Sequence, residues 1–277
     1  MKTIVTHTAP DFDAITSTWL IHKYLPGWSE AAIEFVPAGT TLHDKKPDEN
    51  SDIIHVDTGF GKFDHHQTNA RTSAAEIVLR YLEKSNFVVD MDQKALDRIV
   101  KLVVDDDHFE DPHFPDPTSD RYLLLPFSLV NGLKANLGDD TQVYTIGTIL
   151  LEAALRVFQN VIRAEEEIKK GYVFESYIGK SLAMETGNEE TMKLALKSGY
   201  ALVIRKDPLK GNARIKTLPE KKYDLTPVYE KILKLDTKGS WFLHASKHML
   251  LNGTSKKPGM LATPLSLQKL IAIVKEI

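Results

Sequence analysis

The first 107 residues hold four short groups of histidine and aspartate. In "THTAPDFDA", His7, Asp11 and Asp13 are spaced H-x-x-x-D-x-D. Asp57 stands alone in "IIHVDTG", and Asp64, His65 and His66 are adjacent in "KFDHHQTN". Asp105, Asp106 and Asp107 form the run in "VVDDDHF". Imidazole nitrogen combined with carboxylate oxygen is a mixed donor set that suits Mn2+, Fe2+, Co2+ or Zn2+, and Mg2+ less well. Each group has a plainer alternative. Asp11 or Asp13 can cap a helix, with His7 a satisfied strand-end histidine, and Asp57 can serve the turn that follows it. Adjacent residues of an extended chain point to opposite faces, so His65 and His66 should not do the same job. Three aspartates at the carboxyl end of a helix oppose its dipole, which calls for a cation or a basic partner.

The elements that must position these residues alternate strand and helix. "TIVTH" (3–7), "IEFVPAG" (33–39) and "DIIHVDTG" (52–59) are expected strands; the apolar spacing of Ile15, Trp19, Leu20 and Ile21 predicts a helix over 14–25. A further helix over 73–85 has Ser73 as N-cap and Glu76 at the capping-box position. This order implies a mostly parallel sheet flanked by helices, whose ligands bind outside the carboxyl ends of the strands. His7 and Asp57 both fall at such ends and should share one crevice. Beyond residue 90 the chain is mainly helical: 92–104 is amphipathic, 110–120 is a Pro- and Asp-rich loop, and 141–171 is one long helix that could join two domains. The last third mixes strands such as "GYALVIR" and "SWFLHA" with helices, the final one capped by Thr263 with Pro264 at its first position. The expected fold class is therefore α/β, with domain 1–170 followed by a smaller mixed α/β domain, 171–277.

Composition narrows the chemistry. Among 277 residues there is no cysteine, which excludes disulfides, zinc–thiolate sites, iron–sulfur clusters and thiol nucleophiles. Apolar content of 42% and charged content of 26% are those of a globular chain. The start is too short in apolar residues for a signal peptide, and no run approaches the ~18 apolar residues of a membrane span. The expectation is a cytoplasmic protein with no membrane partner. Charge is unevenly spread: residues 1–192 carry 18 basic and 32 acidic side chains, residues 193–277 carry 17 and 6. An acidic half concentrates cations and a basic half holds a polyanion, although two oppositely charged solvated surfaces would give the same count.

Taken in this order, the four groups resemble the DHH phosphoesterase superfamily, which includes RecJ-type exonucleases, nanoRNases and family II inorganic pyrophosphatases. The resemblance covers residues 7–107. It implies two divalent cations, Mn2+ foremost with Mg2+ or Co2+ as alternatives. His7 and Asp11 would hold one, and Asp13, His65 and Asp107 (Asp105 second) the other, with Asp57 bridging. It also implies that His66 meets the substrate phosphate and that Asp64 orients its neighbours. The short gap from Asp57 to "FDHHQ", the tail "WFLHASKHMLLNGTSKKPG" and "ARIKTLPE" are similar to the MYG-type (UPF0160-like) exonuclease branch. Unlike that branch's usual first motif, the chain has Asp11 where a second histidine is common.

The resemblance implies hydrolysis of phosphodiester bonds, in short oligonucleotides or nucleic-acid ends, by metal-activated water. A small phosphate compound such as a bisphosphonucleotide, cyclic dinucleotide or pyrophosphate is the alternative substrate, and a non-catalytic metal-stabilised nucleic-acid-binding protein is the alternative function. A homodimer is compatible with either. In the basic tail, His244, Ser246, Lys247, Asn252 and Thr254 are the expected substrate-binding donors. Arg205, Arg214 and the lysines of "KGNARIK" would extend a phosphate track, and Trp241 or Phe242 would stack a base, one of them being core. His22 and His43 are expected to be structural or solvated; His55 is expected to be structural as well, with a partnership with Asp57 on the same strand face as its alternative.

Overall fold

The computed structural model describes residues 1–253, 257 and 259–277. Thr254, one of the expected substrate donors, lies outside the described residues. The chain divides into two compact units, Met1–Gln159 and Asn160–Ile277. That division falls inside the long helix, whereas the sequence reading puts it at the helix end.

The first unit runs β1 (Thr3–His7), α1 (Phe12–Tyr24), β2 (Ala32–Val36), β3 (Ile53–His55), α2 (Ala74–Lys84), α3 (Asp90–Asp107), α4 (Pro126–Leu137) and α5 (Asp140–Lys169), with short 3-10 turns between. The three strands form a parallel sheet in the order β2-β1-β3. Ile4 and Val5 are consecutive and both fully buried. Because neighbours on a strand face opposite ways, β1 is covered on both sides, as parallel sheets require.

Behind the sheet, α1 is buried from Phe12 through Ile21, all the way round. The Ser17 and Thr18 hydroxyls both donate to the Ala14 carbonyl, whereas the buried Thr16 hydroxyl has no hydrogen-bond partner among the described residues. Gly147 lets α5 lie directly on α1, since a Cβ there would come within 2.9 Å of Ile15. α2 begins as expected, with the Ser73 hydroxyl accepting the Glu76 N–H at 3.3 Å. α3 buries Leu96, Ile99, Val100 and Val103, and the three aspartates form its last turn.

The second unit contains β4 (Tyr172–Ser176), β5 (Gly179–Glu185), α6 (Glu190–Lys197), β6 (Leu202–Lys206), β7 (Ala213–Thr217), α7 (Thr226–Leu235), β8 (Trp241–Leu243), β9 (Met249–Asn252) and α8 (Leu267–Lys275). Its six-stranded sheet has the order β4-β5-β6-β7-β9-β8; only β5 and β6 run parallel. One face packs Leu182, Met184 and Val203 against Met192 and Ala195 of α6. The other packs Ile204, Ile215 and Leu250 against α7 and α8.

Two expectations need correction here. The last helix is capped by Ser266, whose hydroxyl accepts the Lys269 N–H. Thr263 does not cap it: its N–H donates to Asn252 and its hydroxyl to Asp236, so tertiary partners consume both groups. Among the described residues α5 is the one helix long and apolar enough to cross a membrane by length and composition, with a mean hydropathy of 1.3 over 18 residues.

Candidate metal centre

The carboxyl ends of β1 and β3 lie side by side, and the first three histidine–aspartate groups converge there. Asp57 sits two residues past β3 in a left-handed conformation (φ +55°), which aspartate tolerates better than most residues. Its side chain is buried and its two oxygens face different ways. Oδ2 is 3.2 Å from His7 Nε2, and that same nitrogen is 3.7 Å from Asp11 Oδ2. Oδ1 is 3.3 Å from His65 Nε2. His65 Nε2 in turn lies 3.8 Å from Asp13 Oδ2, and its Nδ1 lies 3.8 Å from Asp107 Oδ2.

Asp11 and Asp13 stand on either side of the start of α1. Asp11 is the N-cap of α1: Oδ1 accepts the Ala14 N–H at 3.0 Å, leaving Oδ2 turned to His7. Asp13 is already inside the helix and fully buried. Each of its oxygens accepts one N–H from the first turn of α2, from Ala74 and Ala75 at 2.8 Å. The three aspartates of α3 separate cleanly. Asp105 pairs with Arg71 at 2.6 Å, Asp107 faces His65, and Asp106 lines a cleft of about 330 Å3 together with Asp11, Asp13 and Asp107. Ser128 and Asn131 of α4 line the same cleft. Sequence reasoning missed both, although their i, i+3 spacing places them on one helix face.

So many carboxylates at one point perturb one another. Burial, then Asp57 and Asp11, push the Asp13 carboxyl well above its usual range. Burial raises Asp107 too, with Asp57 and Asp11 adding to it. Asp106 is pushed up to about 6 by burial and by Asp11 and Asp111. For Asp57 burial works the other way from the outcome: His65 and His7 outweigh it and hold the carboxyl below its usual range. Burial lowers the His7 imidazole, but Asp57 and Asp11 overcome this and hold it at about 9. The Asp57 carboxylate lifts His65 to about 9 against its burial, with Asp107 and Asp13 helping.

The donor set fits divalent cations. Asp57 Oδ1 and His65 Nε2 are both buried and have no hydrogen-bond partner among the described residues, though only 3.3 Å separates them. Buried polar atoms without partners are costly, and a cation between them would satisfy both. His7, Asp11 and Asp57 form one trio whose donor atoms all lie within 4.8 Å of one another; Asp13, His65 and Asp107 form another. A third trio, Asp57, His65 and His66, overlaps the first two.

His66 is held differently from His65. Its Nδ1 donates to Asp64 Oδ1 at 2.7 Å, and its backbone N–H donates to the same oxygen at 3.0 Å. Its side chain is half exposed, and Nε2 is left for an outside partner. Asp64 is buried and its other oxygen accepts the N–H of Phe60, which is also left-handed (φ +57°). Gln67 completes the loop: its amide donates to the carbonyls of Gly61 and Asp64. His55 is not a partner of Asp57; its Nε2 accepts the Leu42 N–H at 3.1 Å and tethers the preceding loop. His22 is structural, bonded to Tyr144 and the Ala31 carbonyl.

The expected donors of the tail lie in the other unit. His244, Ser246 and Lys247 occupy the exposed turn between β8 and β9, where His244 bonds Ser246 at 2.9 Å and Lys247 pairs with Asp224 at 2.9 Å. Asn252 must be withdrawn as a substrate donor. It is fully buried, its amide donates to the Ser240 and Leu261 carbonyls, and its oxygen accepts the Thr263 N–H. Trp241 is core, with its indole N–H on Asp236, while Phe242 is half exposed.

No family model and no curated protein matches the chain. Among solved structures the chain is similar to RecJ in complex with Mg2+ from Thermus thermophilus, at 11% identity and a TM-score of 0.31, covering 99% of this chain and 49% of that one. It is also similar to the DHH domain of a member of a ribosomal-protein family, at 9% identity and a TM-score of 0.33, covering 99% and 86%. The chain spans about half the length of the RecJ chain. Both superpositions are loose, so the side chains of the centre carry the functional reading.

Proposed function

We propose that this protein is a two-metal phosphoesterase of the DHH type, hydrolysing phosphodiester bonds in short oligonucleotides or at nucleic-acid ends. The observation that carries the reading is Asp57, whose two buried oxygens face His7 with Asp11 on one side and His65 on the other. His7 and Asp11 would hold one cation, Asp13, His65 and Asp107 the second, with Asp57 common to both. The set is rich in oxygen with two imidazoles, which favours Mn2+. The cations would supply a hydroxide at neutral pH and charge compensation for the phosphate.

The chain's own residues do the rest. Asp64 fixes His66 through Nδ1, so that Nε2 can carry a proton toward a non-bridging phosphate oxygen. Because Nδ1 is bound to Asp64 at 2.7 Å, His66 is the weakest candidate ligand of the third trio and the best candidate for substrate. Asp11 is pre-oriented by its capping bond, and Asp13 by two N–H donors, so neither loses much freedom when a cation arrives. His244, Ser246 and Lys247 remain candidate phosphate donors on their exposed turn.

The test supplies Mn2+ to the purified chain with labelled dinucleotides, longer single strands, pyrophosphate and 3′-phosphoadenosine-type nucleotides. Mononucleotides released from oligomers are the expected result. Phosphate released from the small compounds alone would move the substrate class to those compounds. Two bound cations without turnover of anything would overturn the enzymatic reading.

A further inference from the structure

Arg205 in β6 and Arg214 in β7 are direct cross-strand partners. Partners in antiparallel register project to the same face, and like charges placed opposite each other destabilise a sheet. Arg205 is 3% exposed, yet it makes one hydrogen bond among the described residues, from Nη1 to the Thr186 carbonyl at 3.3 Å. The Nε atoms of both arginines are buried and have no partner among the described residues. Their nearest carboxylate is Glu189, 2.8 Å from Arg214 Nη1 and 3.9 Å from Arg205 Nη2, on a side chain 59% exposed. Asp207 is also near, but its Oδ1 is taken by the N–H groups of Leu209 and Lys210.

Two guanidinium groups, one of them almost fully buried, thus face one loosely held carboxylate in direct ion-pair contact, Glu189, with the charge of Asp207 nearby. A buried charge is tolerated only with full pairing, and here donors are left over. They open on a cleft of about 270 Å3 that Lys210, Asn212 and Lys257 also line, together with the acidic side chains of Asp207 and Glu189. Its floor is shaped by the absence of a side chain: a Cβ on Gly253 would collide with the Asn212 amide nitrogen, which donates to the Asn252 carbonyl.

We propose that the Asn160–Ile277 unit carries a phosphate-binding site of its own, built on Arg205 and Arg214, in which Glu189 is a displaceable internal stand-in for the ligand. A carboxylate offers two oxygens and one charge; a phosphate offers more of both and can accept from the two planar guanidinium forks at once. Burial, with Arg214 beside it, lowers the pKa of Arg205, the sign expected of a cation short of anionic partners. The exposed basic turn at His244–Lys247 lies at the other end of β9 from this site, because Arg214 pairs with Leu251 whereas His248 adjoins Thr217. The inference does not rest on the phosphoesterase reading.

The test uses the full chain freed of divalent metal, titrated with inorganic phosphate and with a 5′-phosphorylated dinucleotide. Heat of binding and the Arg Nε–H resonances are the two readouts. Phosphate should bind the parent and shift the Arg205 and Arg214 resonances. Glu189→Gln removes the competing carboxylate and should bind about tenfold tighter, and Arg214→Gln about tenfold weaker or worse. Asp57→Asn should bind like the parent, which separates this site from the metal centre. Equal affinity for the two probes identifies a site for the free anion, and tighter binding of the dinucleotide a site for a phosphate ester; either supports the proposal. The proposal is overturned if Arg214→Gln binds like the parent, if Glu189→Gln binds more weakly than the parent, or if neither the parent nor Glu189→Gln binds phosphate.

Discussion

At the scale of single residues, Asp57 and His66 carry the sharpest predictions. Asp57→Asn keeps a residue type that accepts the left-handed backbone, so its effect isolates charge. Turnover should fall by roughly 1,000-fold or more, equivalent to about 4 kcal/mol of transition-state stabilisation, and bound Mn2+ should drop below two per chain by elemental analysis. His66→Gln should lower turnover by about 100-fold or more while leaving Mn2+ content unchanged; loss of metal from that variant would make His66 a ligand. The pH behaviour follows from the raised imidazoles. His7 and His65 stand at about 9, above the ordinary imidazole value, so the stability they add to the metal-free protein is complete below the unfolded pKa of about 6.5 and is lost as pH rises through about 9. Melting temperature in chelator should therefore fall between about pH 7 and 9.5. Mn2+ affinity should rise over the same window, because binding must displace those protons, and titration calorimetry in buffers of different ionisation heat would count them. At this scale the sequence pointed to residues that the fold brings together, but not to how the three aspartates of α3 are placed. Asp105 is removed from the centre by Arg71, 34 positions away in sequence, a pairing that no local pattern contains.

At the scale of elements, the register of the site depends on how α1 is seated, because that helix holds Asp13 and its cap is Asp11. The close approach at Gly147 is the most exposed point of this arrangement. Gly147→Val should destabilise the protein by about 1–3 kcal/mol through overpacking against Ile15, read as a lower melting temperature. Ile15→Ala added to it should recover part of that loss, a coupling that a double-mutant cycle measures. β1, α1 and the Ser73 cap were legible in the sequence because local signals agree with the packing: β-branched residues in the strand, apolar spacing in the helix, a hydroxyl three residues before a glutamate. The last helix was misread for the opposite reason. Thr263 followed by Pro264 is a good local start signal, but Asn252 and Asp236 bind Thr263 first, and the helix starts at the next free hydroxyl, Ser266. Gln67 had no evident chemistry in the sequence and is a loop tie in the structure, joining Gly61 to Asp64 by local bonds to backbone carbonyls, acceptors that every residue carries and that no residue pattern displays.

At the scale of the whole molecule, the uneven charge is the feature most easily tested. If the basic second unit contributes to holding a polyanion, binding of a single-stranded oligonucleotide to the inactive Asp57→Asn chain should weaken steeply with salt, its logarithmic slope shrinking when Arg214 is neutralised. Fluorescence anisotropy across a salt series measures this, and a flat salt response would leave the excess of basic residues as a solvated surface. The centre itself makes a different demand on the molecule. His7, Asp11, Asp13, Asp57, Asp64, His65, His66 and Asp107 all belong to the Met1–Gln159 unit, and α5 closes that unit against α1 at Gly147. Domains fold in order as a chain leaves the ribosome. The half that would hold the cations can therefore fold while the basic half is still being synthesised, and metal captured at that moment would draw the nascent chain toward its folded state before the basic surface exists.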